Sequence, residues 1–186
     1  MLFNRHSELE GQHAFLSPSN YSWVNYTDEK LESRYVTVRA AQRGTDIHKL
    51  AHDAIRLGIK LSRGNQSLST YVNDAIGYRM SSEQPLYYSP NCFGTADTIS
   101  FRRGKLRIHD LKTGVTPSKE KQLEIYAALF CLEYGVSPYD IEIELRIYQR
   151  SEILVFEPTP EAIAGIMDTI VEFDNQIEAL KASDRF

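Results

Sequence analysis

The chain has 186 residues, 42% apolar and 25% charged, with a formal net charge of −4. That length suffices for one compact domain with a sizeable core, and the acidic balance argues against binding nucleic acid through bulk charge while leaving room for a local basic groove. No apolar run approaches the roughly 18 residues of a membrane helix, and the opening "MLFNRHSELEGQHAF" lacks the basic-then-apolar layout of a signal peptide, so the expectation is a cytoplasmic protein with no membrane partner.

In chain order, "FLSPSNYSWVNY" (15–26) opens on a Ser-Pro-Ser turn suited to capping a short helix that carries Trp23 and Tyr26. "YVTVRA" (35–40) reads as a strand or extended entry. "RGTDIHKLAHDAIRLG" (43–58) predicts a helix with Thr45 or Asp46 as N-cap and Gly58 as stop. A second helix is expected over 68–80, then an extended stretch over 86–93 broken by Pro90. Residues 93–101 and 106–112 read as two strands joined by "RRGK", and 118–135 as a helix capped by Ser118, ended by Gly135 and deeply packed over its apolar C-terminal half. "IEIELRIYQ" (141–149) alternates as a strand does, with "ILVF" (153–156) as its partner. The last helix starts at Thr159 with Pro160 in its first position, and its stripe Ile163, Ile166, Met167, Ile170, Phe173, Ile177 and Leu180 is expected to be buried. This order gives a mixed α/β fold, expected as one domain over 1–186 with its core about 35–157 and a C-terminal helix over 160–182.

The hairpin carries the chemistry. Centring its turn between Arg103 and Gly104 opposes Phe101 to Leu106, Ile99 to Ile108 and Asp97 to Asp110. With a side-chain period of two, those residues and Lys112 share one face, which the apolar pairs turn inward. Opposed like charges destabilise a sheet, and burial would force one carboxyl to keep its proton. The geometry alone leaves two readings open. The acids form a divalent-metal site, since hard cations want carboxylate oxygens, or they are solvated or bridged by Lys112. Arg102, Arg103, Lys105 and Arg107 show that positive charge concentrates locally, as a basic groove or a solvated hairpin tip. Cys92 and Cys131 are too few for a four-thiolate zinc site or iron–sulfur cluster and read as small buried residues.

"GTAD" on one strand, "HDLKTG" on the next and "KQLEIYAALF" on the following helix resemble the RecB-like branch of the PD-(D/E)xK nuclease superfamily, which carries G-x-x-D, D-x-K and Q-x-x-x-Y in that order. "GTDIHKL" is similar to the branch's upstream histidine motif, and "FLSPSNYSW" to its Ser-x-Ser opening. The resemblance covers roughly residues 15 to 150 and implies a restriction-endonuclease-like core: a mixed central sheet flanked by helices.

It also implies a Mg²⁺- or Mn²⁺-dependent DNA nuclease, most simply an exonuclease of recombination, repair or phage and mobile-element DNA processing. The cell would be a bacterium or a phage-infected host. His48, Asp97, Asp110 and the Leu111 carbonyl would hold the ion, which polarises the scissile phosphate and activates water. Asp97, Asp110, Lys112 and Gln122 would be catalytic, with Lys112 offsetting anionic charge in the transition state. Gln122, Tyr126, Arg102, Arg103 and Lys119 would contact substrate, with Lys121 beside them. Glu83 is a further acidic ligand to consider.

Each residue has a plainer reading. His48 lies on the inward stripe with Ala51 and Ile55 and by itself reads first as a core histidine; Tyr126 reads equally as core packing. His52 is expected to play a surface or supporting role, and His109 to point away from the metal. Iron–sulfur members of the branch use one early and three late cysteines. None stands here before Cys92 or after Cys131, so no cluster is expected. Without a helicase domain the expectation is a stand-alone module. The alternatives are a non-catalytic nuclease-fold protein that binds or regulates a recombinase, an annealing protein or a defence factor, and a nuclease directed at RNA.

Overall fold

The computed structural model describes residues 14–62, 66–114 and 120–183. They fall into two compact units that divide between Thr45 and Asp46. Helix α1 (Asp28–Leu57) begins in the first and ends in the second.

In the first unit a 3₁₀ helix over Pro18–Asn25 follows Ser17, whose carbonyl accepts from the Trp23 indole at 3.0 Å. Trp23 lies on this helix and Tyr26 just past its end. "YVTVRA" is not a strand: residues 35–40 lie inside α1, which starts at Asp28, so neither Thr45 nor Asp46 is its N-cap. The β-branched alternation there loses to a helix whose first turn carries Asp28 and Glu29 against the N-terminal dipole. Thr37 fits by donating its hydroxyl to the Ser33 carbonyl one turn back.

The second unit is built on a five-stranded sheet in the order β1-β2-β3-β4-β5: Ser81–Ser89, Cys92–Arg102, Lys105–Leu111, Glu142–Gln149 and Glu152–Phe156. β3 and β4 are parallel and the other neighbours antiparallel. That single parallel pair requires a crossover, which α3 (Lys121–Tyr134) supplies. The fold is therefore a mixed α/β architecture with a mixed sheet flanked by helices. β1 starts at Ser81, earlier than the sequence suggests, and turns through Pro90 and Asn91 into β2.

One face of the sheet, with Ile99, Leu106, Ile108, Leu145 and Ile147, packs on Leu123, Ala127 and Leu129 of α3. The other, with Leu111 and Tyr148, packs on Ala51, Ala54 and Ile55 of α1 and on Tyr71, Val72 and Ala75 of α2 (Gln66–Gly77). Central strands covered on both sides explain why β4 is buried almost throughout despite its alternating sequence. Gly58 and Gly135 end α1 and α3 in the left-handed conformation, at φ 67° and 63°. Glu120 holds the N-cap position of α3; Ser118, the expected cap, lies outside the described residues.

Two burial expectations fail. Phe101 is exposed at the turn end of its strand. In α4 (Pro160–Ala182), capped by Thr159 as expected, Ile163 is fully buried and Ile166, Met167 and Ile170 partly so. Phe173, Ile177 and Leu180 are exposed, because the last turns run past the core they started on. Cys131 is buried and Cys92 half-buried. No helix among the described residues is long and apolar enough to cross a membrane.

Candidate metal centre

The site grows from the open end of the β2–β3 hairpin. Arg103 and Gly104 both have positive φ, 53° and 76°, the signature of a two-residue I′ turn. The turn is shorter than the four-residue loop expected, but its centre is the same. Phe101 pairs with Leu106, Ile99 with Ile108 and, last, Thr98 with His109. One step beyond that pair stand Asp97 and Asp110. There the ladder gives way to a side chain: Asp97 Oδ2 accepts the Leu111 N–H at 3.1 Å.

Asp97 has a second neighbour across β1. The pairs Ser82–Thr98 and Gln84–Ala96 bracket Glu83, placing it opposite Asp97. Glu83 adopts φ 49°, a left-handed conformation that is costly for a residue with a Cβ. From α1, His48 brings Nδ1 to 3.4 Å from Asp97 Oδ2. His48, Glu83 and Asp97 thus each offer one ligand atom, all within 4.8 Å of one another.

Asp110 adjoins this triad and is only 4% exposed. Lys112 Nζ lies 3.0 Å from both its oxygens, with hydrogen-bond geometry to Oδ1. Oδ2 is buried and, among the described residues, makes no hydrogen bond beyond that ion pair. The same ammonium donates to Gln122 Oε1 at 3.0 Å, and Gln122 Nε2 reaches the Tyr126 hydroxyl at 3.4 Å. Tyr126 in turn lies over Gly94, where a Cβ would come within 3.0 Å of its Cε1. The G-x-x-D and Q-x-x-x-Y segments are thereby in direct contact. A glycine within a strand signals such close approach, and here it seats the ring.

Both acids resist ionisation. Burial raises the Asp97 carboxyl above its ordinary range, against the pull of His48 and the Leu111 amide. Burial raises Asp110 too, with the charge of Asp97 adding to it and Lys112 opposing it. Two buried acids held above their ordinary pKa, with the Glu83 carboxylate and an imidazole nitrogen beside Asp97, make a donor set that fits a hard divalent ion such as Mg²⁺ or Mn²⁺.

The remaining sequence-derived candidates fall as follows. His52 is half-buried, its Nδ1 3.0 Å from the Ser82 hydroxyl, next to Glu83. His109 faces away, fully buried against Tyr78 and Tyr148. Lys121 pairs with Glu124. Lys119 lies outside the described residues. Arg102 and Arg103 are not brought to the acids: Arg102 ends β2 five residues from Asp97, or about 17 Å at 3.3 Å per residue, and Arg103 follows it in the turn. A concavity of about 220 Å³ at the end of β3, lined by Lys112, Thr113, Gly114 and Arg150 among others, has no counterpart in the sequence reading.

Comparison with known proteins adds one match. Residues 83–154 match the family model described as "Protein of unknown function (DUF2800)". The matched segment runs from β1 into β5 and holds Glu83, Asp97, Asp110, Lys112, Gln122 and Tyr126; His48 lies outside it. No curated protein and no solved structure matches the chain.

Proposed function

We propose that this chain is a metal-dependent deoxyribonuclease with a PD-(D/E)xK core of the RecB-like kind. One observation carries the reading: His48, Glu83 and Asp97 converge beside a buried Asp110 whose Oδ2 has, among the described residues, only the Lys112 ammonium near it, at the end of the hairpin that presents that lysine. Structural acids are normally paired. Here two carboxylates and one histidine converge beside a third, buried carboxylate that one ammonium pairs, an arrangement that clefts built for chemistry favour.

A bound Mg²⁺ or Mn²⁺ would be held by His48, Glu83, Asp97 and Asp110 and would supply positive charge for a phosphate and acidity for a water. Hydrolysis joins a water oxygen to phosphorus and releases the sugar oxygen, so negative charge builds on the phosphoryl group. Lys112 answers that charge. Two of its three N–H donors are committed to Asp110 and Gln122, which fix the ammonium and leave the third for a phosphate oxygen or the attacking water. Asp97 fixes the β3 backbone through Leu111, and Tyr126 on its glycine seat fixes Gln122.

The deciding experiment is digestion of end-labelled single- and double-stranded DNA, and of RNA beside them, with Mn²⁺, wild type against Asp110→Ala. Mn²⁺-dependent DNA cleavage abolished by the substitution is the expected result. No cleavage by the wild type, or cleavage indifferent to Asp110, sinks the reading; preferential cleavage of RNA would reassign the substrate.

A further inference from the structure

At the far end of the same hairpin the chain builds a second feature of opposite sign. A concavity of about 690 Å³ is lined by Tyr78, Arg79, Arg102, Arg103, Lys105 and Arg107, with Glu142 at its edge. Five cations against one acid is unusual crowding for a chain of net charge −4.

Two of the five are committed to structure. Lys105 Nζ lies 3.1 Å from Glu144 and 3.5 Å from Glu142. Arg107 pairs with Glu144 at 3.2 Å and lies over the Tyr78 ring. They form a fixed wall. Arg79, Arg102 and Arg103 are exposed and have no ion pair or hydrogen bond from their side chains among the described residues.

Where these arginines sit is as telling as their number. Arg103 is the first residue of the I′ turn, at φ 53°, and Arg79 follows α2 at φ 54°, where Met80 N–H bonds back to the Ala75 carbonyl at 2.9 Å. Both are left-handed positions that glycine or asparagine fills at less cost. Two such positions, distant in sequence, carry arginine and face one concavity. Like charges gathered there repel unless an anion lies between them, and the planar guanidinium fork matches phosphate oxygens.

We propose that this concavity is a phosphate-binding subsite that takes the backbone of a nucleic-acid strand, separate from the acidic centre about 17 Å away along β2. The choice of nucleic acid as the phosphate source rests on the nuclease reading above; the anion site itself rests on the arginines.

The test is binding of a labelled single-stranded oligonucleotide in EDTA, followed by anisotropy over a range of salt, with inorganic phosphate and poly-glutamate as competitors. The variant Arg79→Asn/Arg102→Gln/Arg103→Asn removes three charges and places asparagine at both left-handed positions, so its melting temperature should hold or rise. Its affinity should fall about tenfold or more and its log–log salt slope by about 2, since each phosphate contact on a single strand contributes about 0.7. Unchanged affinity and slope overturn the proposal. Displacement by poly-glutamate at lower concentration than by competing oligonucleotide overturns it too, in favour of an acidic protein partner. Mn²⁺-dependent cleavage of a small chromogenic phosphodiester by the wild type tests the acidic centre separately. If that fails while strand binding still depends on the three arginines, the nuclease reading falls and the subsite stands.

Discussion

Gly94 lies so close beneath the Tyr126 ring that a Cβ there would sit 3.0 Å from Cε1. From that ring a chain of contacts runs through Gln122 and Lys112 to Asp110. Gly94→Ala must push the ring outward by a few tenths of an ångström and drag the chain with it. Overpacking of this size costs ~1 kcal/mol of stability. The expected loss of cleavage is larger, tenfold or more, because misplacing a catalytic group costs rate steeply. The pair should also be non-additive: in thermal melts and cleavage assays, Gly94→Ala/Tyr126→Ala should be no worse than Tyr126→Ala alone. Additive losses would show that Gly94 acts elsewhere.

Lys112 and Asp110 form one ion pair, yet removing each partner should have opposite effects on the metal-free protein. Without Lys112, Asp110 stays buried beside Asp97 with no cation on it, so Lys112→Met should destabilise by ~3 kcal/mol; Lys112 keeps 30% of its side chain exposed, which argues for no more. Asp110 is a carboxyl raised by burial and by Asp97. The stability such a group contributes is full below its unfolded pKa and is lost as pH rises through the raised folded value, so above that value the ionised acid is a liability. Asp110→Asn removes it and leaves Lys112 with Gln122 and water. The expected result in EDTA is a lower melting temperature for Lys112→Met and a higher one for Asp110→Asn. A destabilised Asp110→Asn would mean the bridge outweighs the repulsion.

The hairpin was legible because its turn fixes everything after it: once Arg103 and Gly104 are placed, Asp97 follows opposite Asp110. His48 was legible from helical spacing and the motif together. Glu83 is in the sequence only a further acid to consider; what seats it opposite Asp97 is that β1 begins at Ser81. What escaped depends on contacts no local pattern encodes. "YVTVRA" alternates like a strand, but the helix starting at Asp28 carries through it. The apolar stripe of α4 outlasts the core, so periodicity alone overstated the burial of Phe173, Ile177 and Leu180. Arg79 joined the other arginines only through packing of α2 against the sheet.

Glu83 should trade stability for metal. Its left-handed φ of 49° suits glycine, and such strain costs of order 1 kcal/mol. Glu83→Gly should therefore raise the melting temperature in EDTA while reducing the rise that Mn²⁺ induces. Glu83→Ala keeps the strain, loses the ligand and relieves only the charge facing Asp97, so its rise in EDTA should be smaller than that of Glu83→Gly while its Mn²⁺ shift falls as much. In the wild type, Mn²⁺ at 100 times its dissociation constant should stabilise by about 2.7 kcal/mol. A full Mn²⁺ shift in both variants would remove Glu83 from the site.

His109 sets the acid limit of the fold from the opposite face of β3. It is fully buried, with Nδ1 3.3 Å from the Tyr148 hydroxyl and no hydrogen-bond partner for Nε2 among the described residues. Burial, aided by the charges of Arg146 and Arg107, lowers its pKa from 6.5 to about 3. The unfolded chain takes up a proton near the ordinary value while the folded chain refuses it. The stability held by neutral His109 is thus complete above 6.5 and drains as pH falls toward about 3. The slope approaches one proton, about 1.4 kcal/mol per pH unit. Asp97 and Asp110, whose folded values are raised, act in the opposite sense on the acidic side, so the wild-type profile alone mixes both. The difference between wild type and His109→Gln isolates the histidine, since glutamine keeps a polar atom for Tyr148 but does not titrate. Urea denaturation between neutral pH and the onset of acid unfolding should give the variant a shallower decline by close to one proton. Parallel profiles would mean that the imidazole protonates in the folded state and that the Tyr148 side of the sheet opens to admit water.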